Sequence, residues 1–250
     1  MMKRRLSLLI FLLITLTTIS SISYGDIYMR QKKHVDGMTI MGRTQPSRDF
    51  IVQTWLTLDK VSVEDSKSKT VIEFDKNTIT VADHNEKIIM TMPMNFSEIA
   101  DKQSDGMPKE DSEEFNKFMG NMMQVSVKVT KTDEKKKIGK WNCTKYIQVM
   151  STGMGEFKSE IWATEDIDVD RELYAKYMSA IKGTMPGMNE NMKEIIKETQ
   201  KIKGMEVYSE QTTEMMGQTM RSSTELLEYK KGKAPASAFD MPKGYRNVEF

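Results

Sequence analysis

Histidine and cysteine, the side chains that most often ligate metals or act in catalysis, are scarce in this sequence. His34 and His84 are the only two histidines, and Cys143 is the single cysteine. A zinc site would have to join the histidines through Cys143 or carboxylates, at distances that a sequence does not give. The sequence has no nucleophile elbow, phosphate-binding loop or dinucleotide-binding glycine pattern. These residue types predict a protein that is not an enzyme and that uses no metal or cofactor.

An acidic run at residues 165–170 resembles the oxygen-ligand spacing of a cation site. Aligned as a calcium-binding loop that begins at Asp166, the run has Arg171 where the loop needs glycine and Tyr177 where it needs glutamate. Carboxylates ahead of a helix also stabilise its N-terminal end without any metal. We therefore interpret the run as the start of a helix and not as a calcium site.

Methionine is the compositional outlier, with 23 residues, of which only Met1 and Met2 precede residue 26. Three interpretations stay open. Thioether side chains fill irregular cores, and they also line apolar grooves that adapt to varied ligands. They are in addition soft ligands for Cu(I). The methionines group on one strand pattern and on helical patterns: Met90, Met92 and Met94; Met119, Met122 and Met123; Met185, Met188 and Met192.

The charge distribution excludes a nucleic-acid-binding protein. The chain has 37 Lys and Arg against 36 Asp and Glu, and the two signs are interleaved along the sequence. After residue 25, the only run of three basic residues is at 135–137. A phosphate-binding surface would need a concentrated basic stripe.

The N-terminus has the three parts of a cleavable secretory signal peptide. A basic segment at residues 3–5 precedes an apolar run at residues 6–19, which is too short for a confident membrane span. Ser23 and Gly25 then place small residues at −3 and −1 of a cut before Asp26. We therefore expect removal of the segment up to Gly25 and a periplasmic or secreted product without a transmembrane segment.

The single cysteine excludes a disulfide within the chain. Cys143 lies at residues 141–146, where aromatic and threonine residues predict a strand. Free cysteine usually behaves as a small apolar side chain in protein interiors. We predict that Cys143 is a buried structural thiol, and pairing with another chain is the alternative.

Alternation of apolar and polar residues dominates the chain after residue 26 and predicts strands. Asp- and Asn-rich corners at residues 75–77 and 83–86 separate closely spaced strands and predict an antiparallel meander. The predicted strands cover residues 27–34, 38–42, 50–58, 69–74, 78–82, 87–92, 125–129, 138–150, 157–163, 205–213 and 218–227.

Three segments have apolar residues at helical spacing. They contain Phe115, Phe118, Met119 and Met122; Leu173, Tyr174, Tyr177, Met178 and Ile181; and Met188, Met192, Ile195, Ile196 and Thr199. We expect the first helix to pack over the concave side of the sheet and to border an apolar cavity. Together the elements predict one α+β domain at residues 26–250, a curved antiparallel sheet of about nine to eleven strands with helices inserted between strand groups.

The meander, the strand at residues 139–146 and the closing segment at residues 242–245 resemble the DUF4412 family of exported bacterial proteins. That family is similar in architecture to the periplasmic lipoprotein carriers of the LolA/LolB type. The resemblance implies an unclosed β-barrel whose hollow is covered by helices. It brings no set of functional residues with it.

A hollow sheet with apolar helices favours a carrier that binds a lipid, a lipidated protein or an apolar peptide, with peripheral membrane contact. An envelope module that contacts another protein is the alternative, and copper binding is a third hypothesis. The candidate cavity residues are Met90, Met92, Phe115, Phe118, Met119, Met122, Tyr177 and Met178.

Overall fold

The computed structural model describes residues 25–40, 43–94, 126–152, 155–168, 173, 192–215 and 218–249. Strands make up nearly all of the regular structure in these ranges. The first eight are β1 Ile27–Val35, β2 Met38–Ile40, β3 Arg43–Gln45, β4 Arg48–Leu56, β5 Lys60–Glu64, β6 Ser68–Glu73, β7 Thr78–Asp83 and β8 Ile88–Pro93. The others are β9 Ser126–Ile138, β10 Trp141–Thr152, β11 Gly155–Thr164, β12 Met205–Met215, β13 Gln218–Lys231 and β14 Arg246–Val248. Helix α1 spans Met192–Thr199, and a 3-10 helix spans Ala236–Phe239.

One sheet of 12 strands dominates the described structure, in the order β14-β8-β7-β6-β5-β4-β1-β13-β12-β11-β10-β9. The paired strands are antiparallel, except that β14 runs parallel to β8. Strand β1 joins the two halves of the sheet because it pairs with β4 on one side and β13 on the other. Strands β2 and β3 form a separate hairpin, and the 12-stranded sheet is unclosed, with β14 and β9 as its edges.

Asparagine and aspartate make the tight turns of the meander from β6 to β8. Asn77 has a positive φ of 54°, a conformation that asparagine tolerates better than most residues. The Asp83 carboxylate accepts hydrogen bonds from the backbone N–H groups of Asn85 and Glu86, at 2.7 and 2.9 Å. The meander predicted over residues 69–92 is therefore confirmed.

A glycine fixes the entry into β12. Gly204 has a φ of 87°, and a Cβ at this position would collide with the carbonyl oxygen of Thr164 at the end of β11. Only glycine combines this conformation with such a close approach. The contact places Met205 opposite Thr164 and so sets the register between β11 and β12.

The C-terminal segment forms hydrogen bonds with the start of the described chain and with the turn between β7 and β8. Backbone N–H groups of Gly232 and Ala234 donate to the carbonyl and the carboxylate of Asp26, at 2.9 and 2.7 Å. Further along, the Tyr245 hydroxyl lies 3.0 Å from His84 Nδ1. The segment then continues into β14, which covers part of the β8 edge.

The α+β class predicted from the sequence is wrong, because the described part of the chain is nearly all β. Strand β9 accounts for part of the difference: its charged stretch at residues 131–137 has no apolar alternation, yet residues 131 and 135–137 pair with β10. Helix α1 confirms the end of the third helical pattern, whereas the pattern around Phe118 and most of the one around Tyr177 lie outside the described residues. No helix in the described ranges is long and apolar enough to cross a membrane.

The burial predicted for Cys143 is confirmed. Its side chain is 2% exposed and belongs to the same buried cluster as Trp162 and Met205. Burial raises the pKa of the Cys143 thiol, so the reactive thiolate is disfavoured.

Two leucines at and just after the end of β4 differ in burial, and their substitution tests the packing of the sheet. Leu56 is 0% exposed and Leu58 is 60% exposed. We expect Leu56→Ala to lower the free energy of unfolding by about 2–5 kcal/mol, because it leaves a cavity in the core. Leu58→Ala is the matched control, for which we expect a change within about 0.5 kcal/mol. Urea denaturation of the two variants measures both values, and equal losses would contradict the assigned burial of Leu56 and exposure of Leu58.

Candidate functional site

Cross-strand pairing aligns aliphatic side chains on one face of the sheet, which we call the Ile27 face. The aligned row consists of Ile27, Leu56, Val61, Ile72, Ile79 and Met92, on β1 and β4 to β8. With Met29 and Leu226, the first five belong to one buried cluster, the first apolar cluster. The opposite face carries Tyr28, whose ring lies 4.9 Å from that of Trp55, and is called the Tyr28 face.

A second apolar cluster lies on the Ile27 face at the other end of the sheet. It consists of Val127, Val129, Tyr146, Ile161 and Ala163 from β9 to β11, together with Ile195 of α1. Helix α1 is also held by Glu198, whose carboxylate accepts a hydrogen bond of 2.8 Å from the Val129 N–H. The Tyr146 hydroxyl accepts a bond of 3.2 Å from the Lys203 N–H. These bonds fix α1 and the chain after it against the sheet.

A row of neutral polar side chains crosses the same face on four strands. This polar band consists of Ser222, Gln211, Ser159 and Gln148, paired in sequence from β13 to β10. Gln148 is also opposite Val129, so the band borders the second apolar cluster. On β13, Thr224 connects the band to Leu226 of the first apolar cluster. The Ile27 face therefore places hydrogen-bonding groups beside two apolar surfaces.

Two buried polar atoms on the Ile27 face lack a hydrogen-bond partner. Within the described ranges, the atoms in this state are Thr54 Oγ1 and Gln148 Nε2. The two residues are 1% and 8% exposed. A buried donor without a partner costs about 1–3 kcal/mol, so native proteins rarely retain one without a reason. The Gln148 amide is therefore an unpaired donor at the end of the polar band that borders the second apolar cluster.

Lys33 lies on the Ile27 face next to the polar band, opposite Phe50 on β4 and Thr224 on β13. Its side chain is half-buried, and it forms no ion pair with a carboxylate in the described part of the chain. Burial lowers the pKa of Lys33, and the more distant Glu206 and Asp65 carboxylates oppose this effect. The ammonium group thus lacks a direct counter-charge.

Charged residues next to Lys33 on the Tyr28 face, in contrast, are paired with each other. Lys32, the neighbour of Lys33, forms an ion pair of 2.9 Å with Asp49. His34 lies 2.6 Å from the same carboxylate and 3.1 Å from that of Asp36, and these contacts raise its pKa. Because these groups are exposed and mutually satisfied, they carry no argument for a ligand.

A cleft of about 540 Å³ opens at the end of β13, lined by Lys140, Trp141, Asp166, Ile167, Asp168, Tyr229 and Lys231. Its polar groups are already engaged. Asp166 accepts a bond of 2.7 Å from the Asn142 N–H, and Asp168 pairs with Lys231 at 2.8 Å. Burial, followed by the Asp168 charge, raises the pKa of Tyr229 to about 12. Such internal pairing favours a structural role for this cleft.

Two of the predicted cavity residues lie on the Ile27 face. Met92 is opposite Ile79 and packs against the first apolar cluster, and Met90 is opposite Val81. The other six lie outside the described residues: Phe115, Phe118, Met119, Met122, Tyr177 and Met178.

Sequence reasoning missed Gln148 and Lys33. A usable signal existed on β10, because Gln148 falls between Tyr146 and Met150 at the same parity as these apolar residues. Lys33 likewise shares parity with Ile27 and Met29 on β1.

The described residues contain no group of three or more His, Cys, Asp or Glu arranged to hold a metal ion. The acidic residue Asp166 accepts bonds from both the backbone and the side-chain nitrogen of Asn142. It therefore stabilises the start of β10. Copper binding through methionine stays a hypothesis.

No family model and no curated protein matches this chain. Several solved structures match the chain, one of them with weak similarity. It is a DUF1329 family protein from Desulfovibrio piger ATCC 29098, with 10% identity and a TM-score of 0.32 over 88% of this chain and 91% of that one. A similarity at this level carries no conclusion about ligand or partner. Membership of DUF4412 and the LolA/LolB-like architecture stay predictions.

The unpartnered amide predicts an unusual response to mutation. Gln148→Met replaces it by an apolar side chain of similar length. We expect the variant to unfold with a free energy about 1 kcal/mol higher than the parent, because the desolvation cost of the amide is removed. Urea denaturation measures this difference.

Gln211→Met is the control, since the Gln211 side chain already donates to Thr213 Oγ1 at 3.4 Å. This variant should give no gain. A large loss of stability for Gln148→Met would show that the amide has a partner and would remove the band as a candidate site.

Proposed function

We propose that the protein is an exported carrier that binds an amphiphilic ligand on the Ile27 face. The polar group of the ligand contacts the polar band, and its apolar part contacts the neighbouring apolar side chains. The observation that supports this proposal most strongly is the buried Gln148 amide, whose Nε2 has no hydrogen-bond partner in the described part of the chain. A ligand with an acceptor atom would satisfy this donor and recover its desolvation cost.

Apolar residues flank the polar band on the side away from Lys33. Met150, Phe157 and Met220 are aligned across β10, β11 and β13 through Thr213. Methionine adapts its shape to irregular partners, which suits a site for apolar chains of varied structure. This placement supports the groove interpretation of methionine without excluding its packing role.

The signal peptide that the sequence predicts at residues 1–25 supports a location outside the cytoplasm. A lipid, a lipidated protein segment or an apolar peptide with a polar end would each match the pattern of the Ile27 face. An exported carrier of such ligands would shield the apolar part from water during transfer between membranes. Catalysis is not part of this proposal.

Contact with an envelope protein is the second candidate function, and the edge strand β9 favours it. Its 13 residues form one edge of the sheet, and most are exposed. An extended segment of a partner could add to such an edge through backbone hydrogen bonds. The lysines at residues 135–137 also discourage unspecific pairing, which is the ordinary role of charge on an edge strand.

Blocking the polar band tests the carrier proposal. We expect Ser159→Phe to abolish binding of a fluorescent long-chain alcohol, because the new ring occupies the centre of the band. Lys158→Phe is the matched control, since Lys158 is adjacent in β11 but lies on the Tyr28 face. Fluorescence titration should show that this control binds the probe as the parent does.

Thermal unfolding of both variants separates a blocked site from a misfolded protein. Overpacking costs about 1–3 kcal/mol, which lowers the melting temperature but leaves a cooperative transition. Equal binding by Ser159→Phe and the parent would refute the assignment of the site. Failure of the parent to bind any long-chain probe would favour the envelope-contact function.

A further inference from the structure

We infer that the polar group of the ligand is anionic and that Lys33 is the residue that binds it. This inference rests on the proposed function and assigns the chemical class of the ligand. The shared chemistry is a carboxylate or phosphate group attached to an apolar chain.

The register places Lys33 beside the polar band. Lys33 is opposite Thr224, and Ser222 of the band follows two residues away on the same strand and the same face. Residues two apart on one strand face are about 7 Å apart, within reach of a lysine side chain. The Lys33 ammonium and Ser222, which is the β13 end of the band, can therefore contact a single polar group, whereas Gln148 lies at the far end of the band on β10.

The charges around Lys33 leave a position for an anion. Glu206 and Asp65 interact with the ammonium only at a distance beyond ion pairing, and Arg48 on β4 is held over the Phe50 ring at 5.1 Å. A half-buried cation without a contacting carboxylate is destabilised by desolvation. An anionic ligand supplies the missing counter-charge, and its binding would raise the pKa of Lys33 again.

The polar band complements an anion without repelling it. Its members carry hydroxyl and amide groups, which can donate hydrogen bonds to ligand oxygens and bring no negative charge. Hydrogen bonds from a charged donor to an anionic oxygen are stronger than neutral ones. A lysine acts as a point charge and accepts either geometry, so a planar carboxylate and a tetrahedral phosphate both fit this chemistry.

Four ligands with the same alkyl chain test the inference: a fatty acid, an alkyl phosphate, a fatty alcohol and an alkylammonium ion. Displacement of the fluorescent alcohol gives their affinities for the parent protein. We expect the two anions to bind about tenfold or more tightly than the alcohol, and the cation to bind least. The ratio of fatty acid to alkyl phosphate then distinguishes the two sources of negative charge.

Variants at neighbouring positions assign the effect to Lys33. Lys33→Met should lower the affinity for both anions by about tenfold or more and leave that for the alcohol unchanged. Lys33→Arg should retain the preference for anions, because the cation is kept. Lys32→Met is the matched control: it removes a lysine of the Tyr28 face, paired with Asp49, and should change neither affinity.

Binding of an alkyl sulfate, which stays ionised, gives a pH readout. Its affinity should fall as the pH rises through the lowered pKa of Lys33. The Lys33→Met variant should lose this pH dependence, although the charged residues Glu206, Asp65 and Arg48 are still present. If the alcohol binds as tightly as the anions, or if Lys33→Met and Lys32→Met behave alike, the inference fails and the carrier function stands. If the parent binds none of the ligands, both fail.

Discussion

Backbone hydrogen bonds between neighbouring strands determine which side chains reach the Ile27 face, and the rest of the structure depends on this register. The pairing continues from β14 to β9 across 12 strands, so that rows of side chains extend over both halves of the sheet. A slip by one residue would exchange the faces. In β10 it would replace Gln148 by a neighbour from the Tyr28 face, and the polar band would be lost. The register shifts at three places: at bulges on β12 and β13 and between β9 and β10 next to Tyr146.

The Ile27 face contains both groups that stabilise the folded state and groups that destabilise it. Burial of the first apolar cluster favours folding through removal of apolar surface from water. The Gln148 amide and Lys33 act in the opposite direction, because burial of polar groups without full hydrogen bonding is unfavourable. An apolar row would serve packing better at these positions. Retention of destabilising groups beside a stable core is typical of binding sites, where a ligand completes the interactions that the chain leaves open.

Local chemistry made part of the fold predictable. Asn77 and Asp83 identified the turns of the meander, and alternation identified most strands. The length of β9 was missed because its lysines have no periodic pattern, and only pairing with β10 makes them a strand. For the site, parity placed Met90 and Met92 on a common face. Gln148 was missed because a glutamine in a strand usually faces water, and its burial becomes visible only from its place between Val129 on β9 and Ser159 on β11.

Neighbouring threonines of β12 provide the most direct test of the central claim that the ligand lies on the Ile27 face. Thr213 is on this face and aligned with Phe157, whereas Thr212 is on the Tyr28 face and aligned with Lys158. Protein with labelled methyl groups and an unlabelled fatty acid would be studied by intermolecular nuclear Overhauser effects. We predict contacts from the alkyl chain to the methyl groups of Thr213 and Met150. Contacts confined to Thr212, or bound fatty acid without contacts to either side chain on the Ile27 face, would contradict the account.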